Sequence, residues 1–463
     1  MHAAGQFADR TVLVCGAGVA GAPAARALLA AGARVLVTDA AETASVAGLV
    51  AAGAVFVGAV ERPPDRTDVV VTSPGWRPDH PLLVAALDGG LPVLGEVELA
   101  WRLRDSRAAP WLAVTGTNGK TTTVRMLEAI LLAAGHRAIA VGNVGTSIVD
   151  AVAAGSRYDV LAVELSSFQL HWSSTVEPAA GALLNLAPDH IDWHGSMGAY
   201  ALTKTKVWDA PVAIGNVDDP YVAELLAGSE SRAQGRKVPI TLREPPAGHL
   251  GVIDGVLVDR AFAPEPVELA RVNEIHPVGQ HNVANALAAA ALARAHGAPA
   301  GSVATGLREF VPDPHRNQFL VDRGGVRYVD DSKATNPHAA NASLSAYDRV
   351  VWIAGGQLKG THVEDLVASV ASRLVGAVLL GVDRAEICTA LARHAPEIPV
   401  IEVARTDDGA MTEVVHAAAG LARPGDTVLL APAAASYDMF AGYAARGAAF
   451  AAAIDALDPH HSP

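Results

Sequence analysis

Basic residues are in short supply. Lys and Arg number 35 against 48 Asp and Glu, the formal net charge is -13, and no segment concentrates Lys or Arg. A nucleic-acid partner calls for a basic face, so the balance argues against polyanionic polymers. It leaves small anions open, because single cations and helix N-termini bind those. Cysteine is nearly absent: Cys15 and Cys388 lie far apart, each inside an apolar segment. That excludes a disulfide framework and fits a reducing cytosol. Long apolar runs are missing as well. The stretch over 12–36 is broken by Gly16, Gly18, Gly21, Pro23, Arg26, Gly32 and Arg34. Neither a membrane span nor a signal peptide is expected, and the cytoplasm is the expected location.

What is present is an α/β pattern. Over 463 residues, 51% are hydrophobic and 18% charged, which suits a globular chain too long for one core. Short β-branched runs predict strands over 11–15, 34–38 and 69–72, with a helix over 22–31 between the first two. A polar stretch over 102–110 then ends in proline. A second series predicts strands over 111–115, 138–141, 160–165 and 182–186, a hairpin-like segment over 238–268 turning at Asp254-Gly255, and an alanine-rich helix over 282–296. A third places strands over 326–329, 350–354, 378–380 and 428–431. The expected organisation is three α/β domains, 1–104, 105–311 and 312–463. The first and third are expected to be Rossmann-like, and the second a P-loop ATPase-type domain on a parallel sheet.

The strongest local signal is Trp111-Leu112-Ala113-Val114-Thr115-Gly116-Thr117-Asn118-Gly119-Lys120-Thr121-Thr122. It reads strand, glycine-rich turn, helix. Backbone N–H groups of such a turn converge on phosphate oxygens, and the helix adds its positive end. Lys120 then reaches the β/γ-phosphates, and the Thr121 hydroxyl can ligate Mg²⁺. Val114 stands where the general P-loop pattern has its first glycine. Glu164 closes a predicted buried strand, where parallel sheets form ligand sites, and its oxygens suit Mg²⁺. In the first domain, Gly16-Ala17-Gly18-Val19-Ala20-Gly21 follows a strand and Asp39 ends the next. That pattern fits the pyrophosphate of any dinucleotide or nucleotide sugar, NAD included.

The loop Gly116–Thr121 resembles that of the Mur ligase family, which also contains the folylpolyglutamate synthases. Further family motifs follow in order. They are Gly142-Asn143-Val144-Gly145, Glu164-Leu165-Ser166-Ser167-Phe168-Gln169-Leu170, Asn185-Leu186-Ala187-Pro188-Asp189-His190, Tyr200 with Lys204, Gly279-Gln280-His281-Asn282-Val283-Ala284-Asn285, and Pro314-His315-Arg316. Asp330-Asp331-Ser332-Lys333-Ala334-Thr335-Asn336-Pro337 is similar to the motif of the members that add D-glutamate. So is Pro432-Ala433-Ala434-Ala435-Ser436-Tyr437-Asp438-Met439-Phe440.

The resemblance implies an ATP-dependent ligase joining D-glutamate to UDP-N-acetylmuramoyl-L-alanine through an acyl phosphate. It implies a carbamate on Lys204, with Lys206 as the competing candidate, and two Mg²⁺ held by Thr121, Glu164, His190 and the modified Lys204. Lys120, His190 and Lys204 would be catalytic. ATP would lie on Gly116, Thr117, Asn118, Gly119, Lys120, Thr121 and Thr122, with Asn282 and Asn285 toward the adenine, Arg316 on phosphate and Asp331 on the ribose. The UDP-sugar would meet Gly18, Val19, Asp39, Ser73, Pro74, Gly75, Asn143 and His190. Ala20, Ala40 and Ala41 replace polar residues seen in relatives, which leaves individual uracil contacts open. Lys333, Thr335, Lys359, Ser436 and Tyr443 would bind the amino acid. A monomer is expected. A folylpolyglutamate synthase or another amino-acid ligase is the alternative inside the family. An NAD-dependent oxidoreductase or regulator, and a non-catalytic ATP-binding scaffold, are the alternatives outside it.

Overall fold

The computed structural model of the protein describes residues 3–105, 107–228, 232 and 234–457. Among the described residues the strands form three sheets. The first contains β1 (Thr11–Cys15), β2 (Arg34–Thr38), β3 (Val55–Phe56), β4 (Val69–Thr72) and β5 (Val93–Gly95). Its order is β3-β2-β1-β4-β5, and every pairing is parallel. The order reverses between β1 and β4, so a ligand crevice is expected outside their carboxyl ends.

The second sheet contains β6 (Trp111–Thr115), β7 (Ala138–Gly142), β8 (Val160–Glu164), β9 (Ala180–Leu183), β10 (Val212–Asn216), β11 (Arg236–Ile240), β12 (Leu250–Ile253), β13 (Val256–Asp259) and β14 (Val267–Arg271). Its order is β14-β13-β12-β11-β10-β9-β6-β8-β7. Pairing is parallel from β7 to β12 and antiparallel across β12, β13 and β14. The turn between β12 and β13 carries positive φ at both Asp254 and Gly255. That is the backbone a two-residue hairpin needs, as the Asp-Gly pair predicts.

The third sheet contains β15 (Gln318–Arg323), β16 (Val326–Asp330), β17 (Val350–Gly355), β18 (Leu374–Leu380), β19 (Val400–Glu402) and β20 (Thr427–Leu430), in the order β15-β16-β20-β17-β18-β19. Only β15 runs antiparallel. The chain forms two compact units. One comprises Met1–Glu274 with Ala284–Phe310 and carries the first two sheets; the other comprises Ile275–Val283 with Val311–Pro463 and carries the third.

The central strands are buried on both faces, which is why they read as near-continuous apolar runs. In β17, Val350, Trp352 and Ala354 enter one core and Val351 and Ile353 the other. The strands predicted over 11–15, 34–38, 69–72 and 111–115 are those observed. The one predicted over 182–186 is corrected: β9 begins at Ala180 and ends at Leu183. Glycine reads as a breaker in sequence, but at Gly181 it marks a close approach. A Cβ there would lie 1.8 Å from the Val207 carbonyl oxygen. The alanine-rich helix begins at Gln280, two residues before the predicted start.

The helix Glu96–Leu103 welds the first sheet to the second. Leu99 enters the first core, whereas Val97 and Ala100 enter the second. Its Glu98 side chain is fully buried. The carboxylate accepts from Ser174 N (2.8 Å), Thr175 N (3.0 Å), Thr175 Oγ1 (2.6 Å) and Arg102 Nε (2.8 Å). Burial pushes the Glu98 pKa up, but the bonds from Thr175 and Ser174 outweigh it and leave the pKa lowered. Glu98→Ala strands these donors, and a destabilisation of about 3 kcal/mol is expected in denaturant titrations. In the wild type this contribution is present above the ordinary Glu pKa of 4.5. It should fade as pH falls through the lowered folded value, a loss the variant cannot show.

Candidate active site

The loop expected to bind phosphate leaves β6 and enters the helix Lys120–Ala133 through Gly119, whose φ is 83°. A Cβ at 119 would stand 2.3 Å from Asn285 Oδ1. The loop is braced from behind. Asn118 N donates to Asn185 Oδ1 (2.8 Å), and Asn185 Nδ2 returns a bond to Asn118 O (3.1 Å). Thr117 Oγ1 sits 2.9 Å from the Tyr200 hydroxyl and accepts from Ala187 N at 3.0 Å. Thr122 is buried in the helix's first turn.

Two lysines meet on one oxygen. Lys120 Nζ donates to Gly116 O (2.9 Å) and Thr117 O (2.8 Å); Lys204 Nζ donates to the same Gly116 O at 2.8 Å. Lys204 is 2% exposed, and burial, followed by the Lys120 charge, pulls its pKa well down. Lys206 points elsewhere and donates to the carbonyls of Leu170, His171 and Ser173. Glu164 closes β8 at 1% exposure. Its Oε2 accepts from Thr121 Oγ1 (2.7 Å) and its Oε1 from Asn143 Nδ2 (2.9 Å). His190 has φ 53° and packs on Phe168, with ring centroids 4.7 Å apart. Its pKa is lowered by burial and then by Lys120 and Lys204, with Asp189 pulling the other way. A neutral imidazole, a buried carboxylate and a hydroxyl are donors a divalent cation accepts.

A cleft of about 510 Å³ opens at the β1/β4 crevice. Gly18, Val19, Asp39, Ser73, Pro74 and Asn143 line it; Gly75 and His190 lie off its lining. Both Asp39 oxygens already accept backbone bonds, from Ala17 N (2.8 Å) and Ala40 N (2.7 Å). Trp76, Glu96 and Gln169 also line the cleft and escape the sequence reading of this site. Gln169 stood inside a quoted motif, and Trp76 directly follows Ser73-Pro74-Gly75. Glu96 carried no signal.

The second compact unit gathers another group. Lys333 Nζ lies 4.1 Å from the centre of the Tyr443 ring and Lys359 Nζ 5.5 Å from that of Tyr437. Ser436 is buried, and the turn holding Thr335 is fixed by Ala433 N donating to Ala334 O at 3.0 Å. Arg316 lies 4.0 Å from Asp313. Asn282 is buried beside His281, its Nδ2 3.0 Å from the ring Nε2. Asp331 is pushed up to about 6 by burial, against its hydrogen bonds and Arg316.

Residues 114–293 match the family described as Mur ligase middle domain, and residues 315–434 match Mur ligase, glutamate ligase domain. Over 98% of this chain and 99% of the relative, the sequence is 57% identical to the UDP-N-acetylmuramoylalanine--D-glutamate ligase of Thermobifida fusca. The chain belongs to the Mur ligase family. Similar relatives of the same name include those of Streptomyces avermitilis, 53% identical over 97% of this chain and 98% of the relative, and of Mycobacterium avium, 49% identical over 96% of each. Solved Mur ligases share the fold. The UDP-N-acetylmuramate-alanine ligase of Thermotoga maritima gives a TM-score of 0.57 at 18% identity, covering 96% of this chain and 99% of that one. MurF of Acinetobacter baumannii gives 0.59 at 19%, covering 86% and 87%.

Two outcomes test the nucleotide contacts expected of Gly119 and Asp331. Gly119→Ala combines a strained φ with the clash on Asn285 and should weaken ATP binding at least about tenfold, read by equilibrium titration. If ionised Asp331 accepts from the ribose, the KM for ATP should fall as pH rises through about 6. Asp331→Asn should flatten that dependence.

Proposed function

We propose that the chain joins D-glutamate to UDP-N-acetylmuramoyl-L-alanine with hydrolysis of ATP, in peptidoglycan precursor synthesis. The observation that carries this is near full-length identity to curated D-glutamate ligases. The reading is supported by Lys120 and Lys204, which share the Gly116 carbonyl, and by buried Glu164, which accepts from Thr121.

The chemistry sets the demands. A carboxylate does not react with an amine in water at a useful rate. Phosphoryl transfer to the carboxylate of the UDP-sugar substrate gives an acyl phosphate, the amine of D-glutamate attacks its carbonyl, and phosphate leaves. The site must offset charge on the transferred phosphoryl and hold two anionic substrates close together. We assign Lys120 to the β/γ-phosphates, the N–H groups over 116–122 to the phosphate cradle, and Asn282 and Asn285 to the adenine. Arg316 takes a phosphate oxygen and Asp331 the ribose. Thr121, Glu164, His190 and a carbamylated Lys204 are the residues that would hold two Mg²⁺. Bound there, Mg²⁺ would neutralise the oxygens between which the phosphoryl moves.

Carbamylation suits the geometry. A buried lysine with a depressed pKa presents the neutral amine that adds to CO₂ with release of a proton. The product sets an anion beside Lys120 where the neutral amine stood. We place the UDP-sugar in the 510 Å³ cleft. There Asp39 shapes the turn after β1 through Ala17 N, besides any contact to uracil. Gly75 and His190 meet the parts of the sugar nucleotide that extend beyond the lining. Lys333, Thr335, Lys359, Ser436 and Tyr443 take the amino acid. The reading carries three domains, 1–104, 105–311 and 312–463. The outer two are Rossmann-like and the middle one is of P-loop ATPase type. The chain acts as a monomer in the cytoplasm.

ADP release with UDP-N-acetylmuramoyl-L-alanine should require D-glutamate and be negligible with L-glutamate. A preference for L-glutamate with a folate would overturn the reading. Lys204→Ala should lose at least about a hundredfold in kcat and regain part of it with added short carboxylic acids. Full activity of the unrescued variant removes the carbamate from the scheme.

A further inference from the structure

In the third sheet, β16, β20 and β17 are neighbours, and their carboxyl ends lead into the turns over 331–336, 431–436 and 355–359. The turns are bonded to one another. Ala433 N donates to Ala334 O (3.0 Å), Gly355 N to Pro432 O (2.9 Å), and Gln357 N to Ala435 O (2.8 Å). Each carries residues assigned above to the amino acid: Lys333 and Thr335, Ser436, and Lys359.

Arg446 lies under all three. It projects from the helix Tyr443–Asp455 and is 1% exposed. Nε donates to Ser332 Oγ (3.0 Å) and Nη2 to Ser332 O (2.9 Å). Both terminal nitrogens donate to Ala434 O at 3.1 Å, and Nη1 reaches Gly355 O at 3.3 Å. One planar group therefore fastens one residue from every turn, a task for which the fork of a guanidinium is suited and a lysine is not. Ser332 is fixed from its other side too: its N–H donates to Asp330 Oδ1 (2.9 Å) and its hydroxyl to Tyr443 O (2.8 Å).

The charge on Arg446 has no direct counterpart. Among the described residues no carboxylate pairs with it, and Asp438 and Asp330 act on it only through space. Carbonyl dipoles and the Ser332 hydroxyl satisfy its N–H groups without cancelling its charge. Burying an ion in that way is costly, and positive potential persists at the strand ends above it.

We propose that Arg446 is the positioning residue of the amino-acid site. It sets the spacing of Lys333, Thr335, Lys359 and Ser436, and it supplies background positive charge for a substrate with two carboxylates. This rests on the reading of these turns as the D-glutamate site.

The test is steady-state kinetics on the full chain. Arg446→Lys keeps a cation but loses the fork. Its KM for D-glutamate should rise about tenfold or more, with kcat falling less and the KM for the UDP-sugar staying within about twofold of wild type. A merely structural role would not confine the loss to one substrate. Ser332→Ala removes one anchor of the guanidinium with little change in volume, and should raise the same KM several-fold. It decides the matter if Arg446→Lys does not fold. A folded Arg446→Lys, or Ser332→Ala in its place, with the KM for D-glutamate unchanged overturns the proposal while leaving the ligase reading intact. A wild-type chain that releases no ADP with D-glutamate overturns both.

Discussion

The carboxylate of Glu164 joins what would otherwise be separate loops. It ends β8, receives the Thr121 hydroxyl from the helix after β6, and receives Asn143 from the turn after β7. Its own carbonyl also accepts Asn143 N at 3.0 Å. Asn143 lines the 510 Å³ cleft, while Thr121 stands at the phosphate loop. One buried acid thus puts the 510 Å³ cleft and the glycine-rich loop before Lys120 in mutual register. A carboxylate so engaged braces both loops with lone pairs to spare.

The same arrangement recurs through the molecule. Each sheet places its candidate site residues at the carboxyl ends of neighbouring strands: the turns after β1 and β4, those after β6, β7 and β8, and those after β16, β17 and β20. Strands with both faces covered devote their side chains to the cores, so chemistry is left to the turns they project. The lysine pair on Gly116 O shows how such a turn concentrates charge. Two ammonium groups on one carbonyl would repel each other, and the Lys120 charge, after burial, drives Lys204 toward its neutral amine.

Much of this was legible in the sequence because it is local. The strand, glycine turn and start of the helix around Lys120 lie within a dozen consecutive residues, and the strands predicted over 11–15, 34–38, 69–72 and 111–115 hold because β-branched runs end abruptly at glycine or polar residues. What sequence could not reveal is long-range. The bond between Thr121 and Glu164, 43 positions apart, was not legible although both residues read as Mg²⁺ donors, and no pattern connects Arg446 to Ser332, 114 apart. Arg446 stands alone in an alanine-rich helix with no motif around it. Gly181 was misleading for a related reason: the backbone it lets through belongs to Val207. Asp39 looked like a ligand by its position, yet its oxygens also have local duties on Ala17 and Ala40.

The buried Glu98 clamp has a bearing on inhibition. It ties the helix Glu96–Leu103, whose Glu96 lines the cleft, to the segment around Thr175, and so fixes the cleft wall on the sheet from which the loop before Lys120 projects. A compound spanning both would meet its contacts without an ordering cost on the protein side. Rigid linkers of the correct length are therefore favoured over flexible ones. Affinity in such a series will track how well the linker matches a fixed span more than how much surface it covers.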